Sequence, residues 1–254
     1  MSARKQRLDL LLVEQKLCNS RQQAQGLIRA GEVMVNNTVV DKPGTLIPMG
    51  AQLRVKQRSP YVSRGGEKLA HALKTFPIQV QDRICLDGGI STGGFTDCLL
   101  QNGAKQVYGI DVGYGQVDWT LRQDPRVILK ERTNIRHLRP EQLYEPDQPQ
   151  PDLGVLDLSF ISLAKVLPAV WALLSPPREL IALVKPQFEV GRSQVGKHGV
   201  VKDAHAHQGA IAQVRQAAED IGWHYQDVTP SPLLGPAGNQ EFLLWLLAES
   251  LYCT

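Results

Sequence analysis

Leu8, Leu11 and Leu12 recur at helical spacing and predict a short amphipathic helix over residues 7–15. Asn19-Ser20 offers a cap for a second helix over residues 21–30, which Gly31 ends. The spacing then switches to alternation. Val33-Met34-Val35 and Thr38-Val39-Val40 read as strands joined by Asn36-Asn37, a pair that tolerates positive φ and predicts a tight hairpin. Residues 45–55 add one or two more short strands. A helix–helix–hairpin unit this small has little core, and suits an appended binding module better than an enzyme.

After Ser59-Pro60 the pattern changes to short buried-type strands alternating with helices. Ile84-Cys85-Leu86, residues 106–110, Val155-Leu156 and residues 180–184 read as strands. Helices are expected from Phe95 onward and over residues 167–174, and the run 241–247 is almost wholly apolar after Glu241. This predicts an α/β fold, a doubly wound Rossmann-like sheet that is mainly parallel, behind a small α+β N-terminal domain. The expected boundaries are residues 1–58 for the module, 59–62 for a linker and 63–254 for the larger domain. Pro146 to Pro151 reads as a surface loop.

The chain has 254 residues, 43% hydrophobic and 21% charged, which excludes a disordered or fibrous protein. The net charge of +3 hides an asymmetry. Residues 1–60 carry ten Lys/Arg against four Asp/Glu, a net of +6, so the remainder sums to −3. A basic module in front of a near-neutral body points to a polyanion partner. Arg4, Lys5, Arg7, Arg21 and Arg29 are the candidate phosphate contacts, with Lys42, Arg54, Lys56 and Arg58 following; any one of them alone is equally well a solvated surface charge. Cys18, Cys85, Cys98 and Cys253 are scattered, and Cys85 and Cys98 sit in apolar runs as core residues. A reduced, cytoplasmic protein is expected. No segment is apolar enough for a signal peptide or a membrane span, and a monomer or weak dimer is expected.

The richest chemistry follows the strand at Ile84: Asp87-Gly88-Gly89-Ile90-Ser91-Thr92-Gly93-Gly94-Phe95-Thr96-Asp97. It lacks the Gly-Lys-Ser/Thr of a phosphate loop and the G-x-G-x-x-G of a dinucleotide loop. An acid ahead of the glycines disfavours pyrophosphate and suits a cationic ligand such as S-adenosylmethionine, whose ammonium Asp87 would face. Gly89, Ser91, Thr92, Gly93, Gly94, Phe95 and Thr96 complete the expected cofactor loop. Asp111, after the second strand, is placed to bond ribose hydroxyls, and Asn134 to hold the adenine edge or simply to make a turn.

Lys68, Asp157, Lys185 and Glu241 stand beside apolar or Gly-rich stretches, where charge is costly. Strand ends would bring Asp157 and Lys185 to one crevice. Around a methyl donor, such a set suits transfer to a ribose hydroxyl. Lys185 would take the hydroxyl proton, provided its pKa falls below the free value of about 10.4, and Lys68 would tune and position it. The competing reading is two buried Lys–carboxylate salt bridges. Base methylation would call for an N-P-P-Y-type tetrad or a nucleophilic cysteine, and neither is present. Arg192 and Lys197, in the Gly-rich stretch 191–203, could clamp substrate phosphates; a disordered loop is the alternative. His205 and His207 have no third ligand nearby, so no metal is expected and solvent exposure is.

Arg-Leu-Asp-Leu-Leu-Leu (residues 7–12), then Ser20-Arg21 through Gly31, Val33, Val35 and Asn36, resembles the ribosomal-protein S-four-like RNA-binding domain. Residues 61–69 (with Arg64), the 87–97 loop, Asp157-Leu158-Ser159-Phe160-Ile161-Ser162-Leu163 and residues 184–191 resemble the TlyA family, which joins such a domain to an FtsJ-type methyltransferase domain. The resemblance spans nearly the whole chain in order. It implies S-adenosylmethionine-dependent 2′-O-methylation of cytidine in ribosomal RNA or ribosomal subunits, with the family's Lys-Asp-Lys-Glu tetrad on Lys68, Asp157, Lys185 and Glu241. Gly88 and Ile90 depart from the family pattern, and Ile90 is expected to narrow the cofactor pocket. Two other functions compete: a non-catalytic RNA-binding assembly factor keeping the fold, and a membrane-lytic haemolysin, a label some family members carry.

Overall fold

The computed structural model describes residues 4–55, 59–146 and 148–248; Lys56, Arg58 and Cys253 lie outside the described residues. The chain divides into two compact units, Met1–Arg58 and Ser59–Thr254.

In the first unit Arg7 ends a strand rather than opening a helix. β1 (Lys5–Arg7) pairs antiparallel with β4 (Leu46–Pro48), Lys5 opposite Pro48, and α1 spans Leu8–Glu14. The local pattern misses β1 because its partner lies forty residues on, roughly, and pairing rather than propensity makes it a strand. α2 (Arg21–Arg29) starts where Ser20 Oγ accepts a hydrogen bond from the Gln23 amide and ends at Ala30. β2 (Val33–Val35) and β3 (Thr38–Val39) turn on Asn36 and Asn37, both at positive φ (47° and 66°). β5 (Leu53–Val55) pairs with the other side of β2, and Asn36 Oδ1 accepts from the Gln52 amide. Leu8, Leu12, Ala24, Ile28 and Val33 form a fully buried core.

A carboxylate is buried beside that core. Asp9 accepts hydrogen bonds from Arg7, from Arg21 Nε at 3.0 Å and from Gln25 Nε2 at 2.9 Å. The Arg7 bonds above all hold its carboxyl well below the usual range, against the opposing effect of burial. Arg7 and Arg21, expected to be free phosphate contacts, are thus partly committed to Asp9, while their side chains stay about half exposed. A depressed folded-state pKa gives stability that is present above the ordinary carboxylate range and lost as pH falls below it. Asp9→Asn is therefore expected to destabilise the module by about 1–3 kcal/mol at pH 7 and to flatten its acid sensitivity. Hydrogen exchange of the α1 amides in the full chain reads both.

The second unit holds a seven-stranded sheet in the order β11-β12-β10-β9-β6-β7-β8. β6 (Ile84–Gly88), β7 (Gln106–Ile110), β8 (Val127–Lys130), β9 (Leu153–Leu156) and β10 (Arg178–Val184) run parallel. β11 (His224–Pro230) pairs antiparallel with β12 (Phe242–Ala248), which is itself antiparallel to β10. The helices in chain order are α3 (Gly65–Thr75), α4 (Gly94–Gln101), α5 (Trp119–Arg122), α6 (Pro140–Leu143), α7 (Leu167–Leu173), α8 (Pro186–Glu189) and α9 (Ala204–Glu219).

Side chains alternate between two cores, as the period of a strand requires. Cys85, Val107, Val155, Ile181 and Leu183 pack with α3 and α4. Leu86, Tyr108, Leu156, Leu180 and Ala182 face α7 and α9 on the other side. Ile90 belongs to the first core and presses on Gly109, where an added Cβ would lie 2.5 Å from its Cδ1. It packs into that core and also lines a cavity of about 280 Å³ beside Gly89. Residues 191–203 form short 3-10 turns at Arg192–Gln194 and Lys197–Gly199, and Val201 is buried with its amide donating to Asn239 Oδ1. His205 is exposed as expected; His207 is half-buried instead, bonded to the Val201 carbonyl and packed on Phe242. Among the described residues no cluster of His, Cys, Asp or Glu could hold a metal, and no helix is long and apolar enough to cross a membrane.

Candidate active site

The C-terminal edge of the parallel strands gathers the candidate chemistry, and strand direction explains how. Asp157 is the first residue beyond β9, and its amide donates to the Gly88 carbonyl. Lys185 is the first beyond β10; Pro186 keeps it extended, since the ring disfavours a helical residue before it, and opens α8 immediately after. Glu241 precedes β12. Because β12 is reversed, with Phe242 opposite Val184, its beginning lies where its neighbours end.

Each lysine has its own carboxylate. Lys185 Nζ lies 2.7 Å from Asp157 Oδ1 and donates to Ser159 Oγ at 2.8 Å. Lys68 Nζ, from the first turns of α3, lies 2.5 Å from Glu241 Oε2, with both residues buried. Glu241 fits because Gly235 has no side chain: a Cβ there would stand 2.5 Å from Glu241 Oε1. Lys68 reaches this edge because α3 and α4 approach closely at glycines. A Cβ on Gly94 would stand 2.2 Å from Ser63 Oγ, and one on Gly66 2.2 Å from the Tyr61 ring.

Two cavities open here. The larger, about 940 Å³, is lined by Gly89, Ser91, Asp111, Asn134, Asp157 and Ser159, with Phe160, Gln187 and Arg192 among its other walls. The smaller, about 280 Å³, is lined by Ser63, Arg64, Lys68, Thr92, Gly94, Phe95 and again Gly89, Ser91 and Asp157. Asp157 thus faces both cavities, bonded to one lysine and sharing a wall with the other. Lys185 itself is buried behind Asp157 and Ser159.

The cofactor loop is brought together in part. Gly89 has φ +87°, and a Cβ there would stand 2.6 Å from the Asp157 carbonyl oxygen, so only glycine fits. Asp111 accepts from the Ser91 amide at 2.8 Å and the Gly113 amide at 2.7 Å, fixing the loop against the end of β7. Asn134 lines the larger cavity while its side chain accepts from the Arg136 amide, as the turn reading expects. Three expected contacts lie deeper. Gly93 caps α4 at φ +100° and faces Leu121, and Thr96 is fully buried, donating to Asp87 Oδ2 at 2.7 Å. Asp87 is fully buried because β6 continues through Gly88, which makes the acid an interior strand residue rather than its tip. Its Oδ1 has no partner, and burial pushes the carboxyl up to about 7.

Arg64 and Arg192 are exposed on cavity walls, and Lys197 is exposed but lines neither cavity. Arg4, Lys5 and Arg29 are exposed in the N-terminal unit. Cys85 and Cys98 are buried, and burial pushes both thiols up to about 12, which leaves them protonated and unreactive. Phe160 and Gln187 fall in the stretches 157–163 and 184–191, where the sequence gives neither a role of its own. Phe160 is 91% exposed at φ +65°, a strained conformation for an aromatic residue, and its ring stands 5.2 Å from that of Phe188. An aromatic residue sandwiched in a post-strand motif was the available signal; exposure was not.

The FtsJ-like methyltransferase model matches residues 61–247, and the S4 domain model matches residues 6–53. The chain is 48% identical over 250 residues to the 16S/23S rRNA (cytidine-2'-O)-methyltransferase TlyA of Mycobacterium tuberculosis, covering 98% of this chain and 92% of that one. It is 39% identical to Hemolysin A of Brachyspira hyodysenteriae, covering 93% and 98% respectively. A solved hemolysin-named structure from Streptococcus thermophilus superposes with a TM-score of 0.74 at 42% identity, covering 98% of this chain and 90% of that one.

Proposed function

The chain belongs to the FtsJ-like methyltransferase family, and from that premise we propose that it methylates the ribose 2′-hydroxyl of a cytidine in ribosomal RNA, in the cytoplasm. The observation that carries this reading is the Lys185–Asp157–Ser159 cluster at the rim of the larger cavity, on a chain that also bears an S4 domain.

S-adenosylmethionine, when bound, supplies an electrophilic methyl group on a sulfonium. The residues present fit it. Gly89 clears the backbone for close approach, Asp111 and Asn134 line the cavity where an adenosine needs polar partners, and Asp87 keeps one carboxylate oxygen unpartnered in the interior one residue before that loop. Asp157 and Ser159 each accept a hydrogen bond from Lys185 Nζ and hold it against the cavity wall, the placement expected of a group that takes the hydroxyl proton. Glu241 orients Lys68 and touches neither cavity, so it is a positioning residue. Phe160 presents an open aromatic face on which an unstacked base can rest.

Purified protein is expected to transfer labelled methyl from S-adenosylmethionine to ribosomal RNA, recovered on digestion as 2′-O-methylcytidine. Label on a base, or on no nucleotide of RNA or subunits, would refute the reading. RNA affinity should fall linearly on a log–log plot as salt rises, because Arg4, Lys5 and Arg29 offer phosphate contacts. Arg29→Ala should weaken binding of all sequences alike and reduce that slope by about 1, measured by filter binding across a salt series.

A further inference from the structure

We propose that Glu189 is a positioning residue for the proton acceptor, holding Ser159 against Lys185 through the segment that follows β9; this rests on the 2′-O-methyltransferase reading above. Glu189 ends α8, four residues after Lys185, and is 6% exposed. Its Oε2 accepts from the Ser162 hydroxyl at 2.6 Å and its Oε1 from the Leu163 amide at 2.9 Å. Among the described residues no cation is paired with it, and burial pushes its carboxyl above the ordinary range. Taking a carboxylate out of water without a cation is costly, and an apolar side chain would fill a plain core position better. What a carboxylate adds is two acceptors at once. Both are given to one segment, residues 157–163.

That segment needs an anchor at its far end. The sheet holds its beginning, where the Asp157 amide donates to the Gly88 carbonyl. Among the described residues no backbone–backbone hydrogen bond holds residues 158–161. Leu158 and Ile161 are only partly buried against the core, and Phe160 sits at φ +65°, a conformation that its surroundings have to hold. Ser159 lies in this span, and its Oγ accepts from Lys185 Nζ at 2.8 Å. The stretch after β10 therefore grips the segment twice, Lys185 at Ser159 and Glu189 at Ser162 and Leu163. The Phe188 ring packs on Phe160 between the two grips, at 5.2 Å.

Loss of the second grip frees the far end alone. Asp157 keeps its place through Gly88, whereas Ser159, beyond that anchor, loses its register with Lys185. The amine is then held by one acceptor instead of two and can turn from the cavity wall. Misplacement of a reacting group by about 1 Å can cost about 10²-fold in rate.

The test uses full-length protein, labelled S-adenosylmethionine and ribosomal RNA, with single-turnover rates at saturating RNA and cofactor. Glu189→Ala is expected to lower the rate about 10–100-fold while the Kd for S-adenosylmethionine stays within about twofold. Ser162→Ala removes one of the two bonds and keeps the buried carboxylate; a loss of about fivefold or more is expected. In a Ser159→Ala background each substitution should cost no more than about twofold, because residues that act as a unit are not additive. A merely structural role would cost the same factor in both backgrounds. That equality, or a full rate in both Glu189→Ala and Ser162→Ala, overturns the positioning role and leaves the 2′-O-methylation reading standing. Should Glu189→Ala fail to bind S-adenosylmethionine, the Ser162→Ala pair of rates decides by the same criterion. Absence of ribose methylation by the wild type overturns both.

Discussion

Lys185→Ala is expected to lower methyl transfer to RNA by about 10²–10⁴-fold, the usual contribution of a positioned general base, while S-adenosylmethionine still binds. The direction follows from where the amine sits. Asp157 and Ser159 hold it by two bonds behind the cavity wall, so its loss removes the proton acceptor without touching Asp111 or Gly89. The substitution also leaves Asp157 without its cation. Asp157→Asn in the same background should then restore part of any stability lost and none of the activity. Single-turnover transfer measures the chemical step, and titration of S-adenosylmethionine into the variant measures binding. Full activity in Lys185→Ala would refute its role, and loss of cofactor binding alongside activity would show damage to the site instead.

The second large effect concerns stability. Burial raises the Asp87 carboxyl from its ordinary range to about 7 in the folded chain, partly offset by the Thr96 bond. A raised folded-state pKa means that the native protein holds the proton more tightly than the unfolded chain. The resulting stability is therefore present below the ordinary carboxylate pKa and lost as pH rises through about 7. The three-unit gap corresponds to about 4 kcal/mol lost between roughly pH 4 and pH 8. Asp87→Asn is expected to remove that slope, which denaturant melts at successive pH values would measure. A slope identical in wild type and variant would show that the carboxylate is not desolvated.

Much of this was readable along the chain. The shift from helical to alternating spacing located α2 and the Asn36-Asn37 turn, and the buried runs located β6, β7, β9 and β10. The order of strand, acid and glycine pointed to Gly89, Ser91 and Asp111, which line one cavity. The misreadings have one source. β1 is a strand through its pairing with β4, and β11 is a polar edge strand whose half-exposed residues carry no clear alternation. Arg21 looked free because Asp9 stands apart from it in sequence and meets it only across the packed helices. Asp87 looked exposed because one further strand residue, Gly88, was invisible to local pattern.

By itself, then, the sequence determined the two-part division of patterns, the positions of the main buried strands, and which residue types end which strands. These are local properties, set by spacing, turn chemistry and propensity. The tertiary structure decided what those residues meet. It reversed β12, and so carried Glu241 to the edge where Lys68 waits. It paired Lys185 with both Asp157 and Ser159, exposed Phe160, and left Gln187 with an acceptor unfilled. Strand direction, burial and unmet hydrogen bonds depend on partners distant in sequence, and the chain's local pattern contains no record of them.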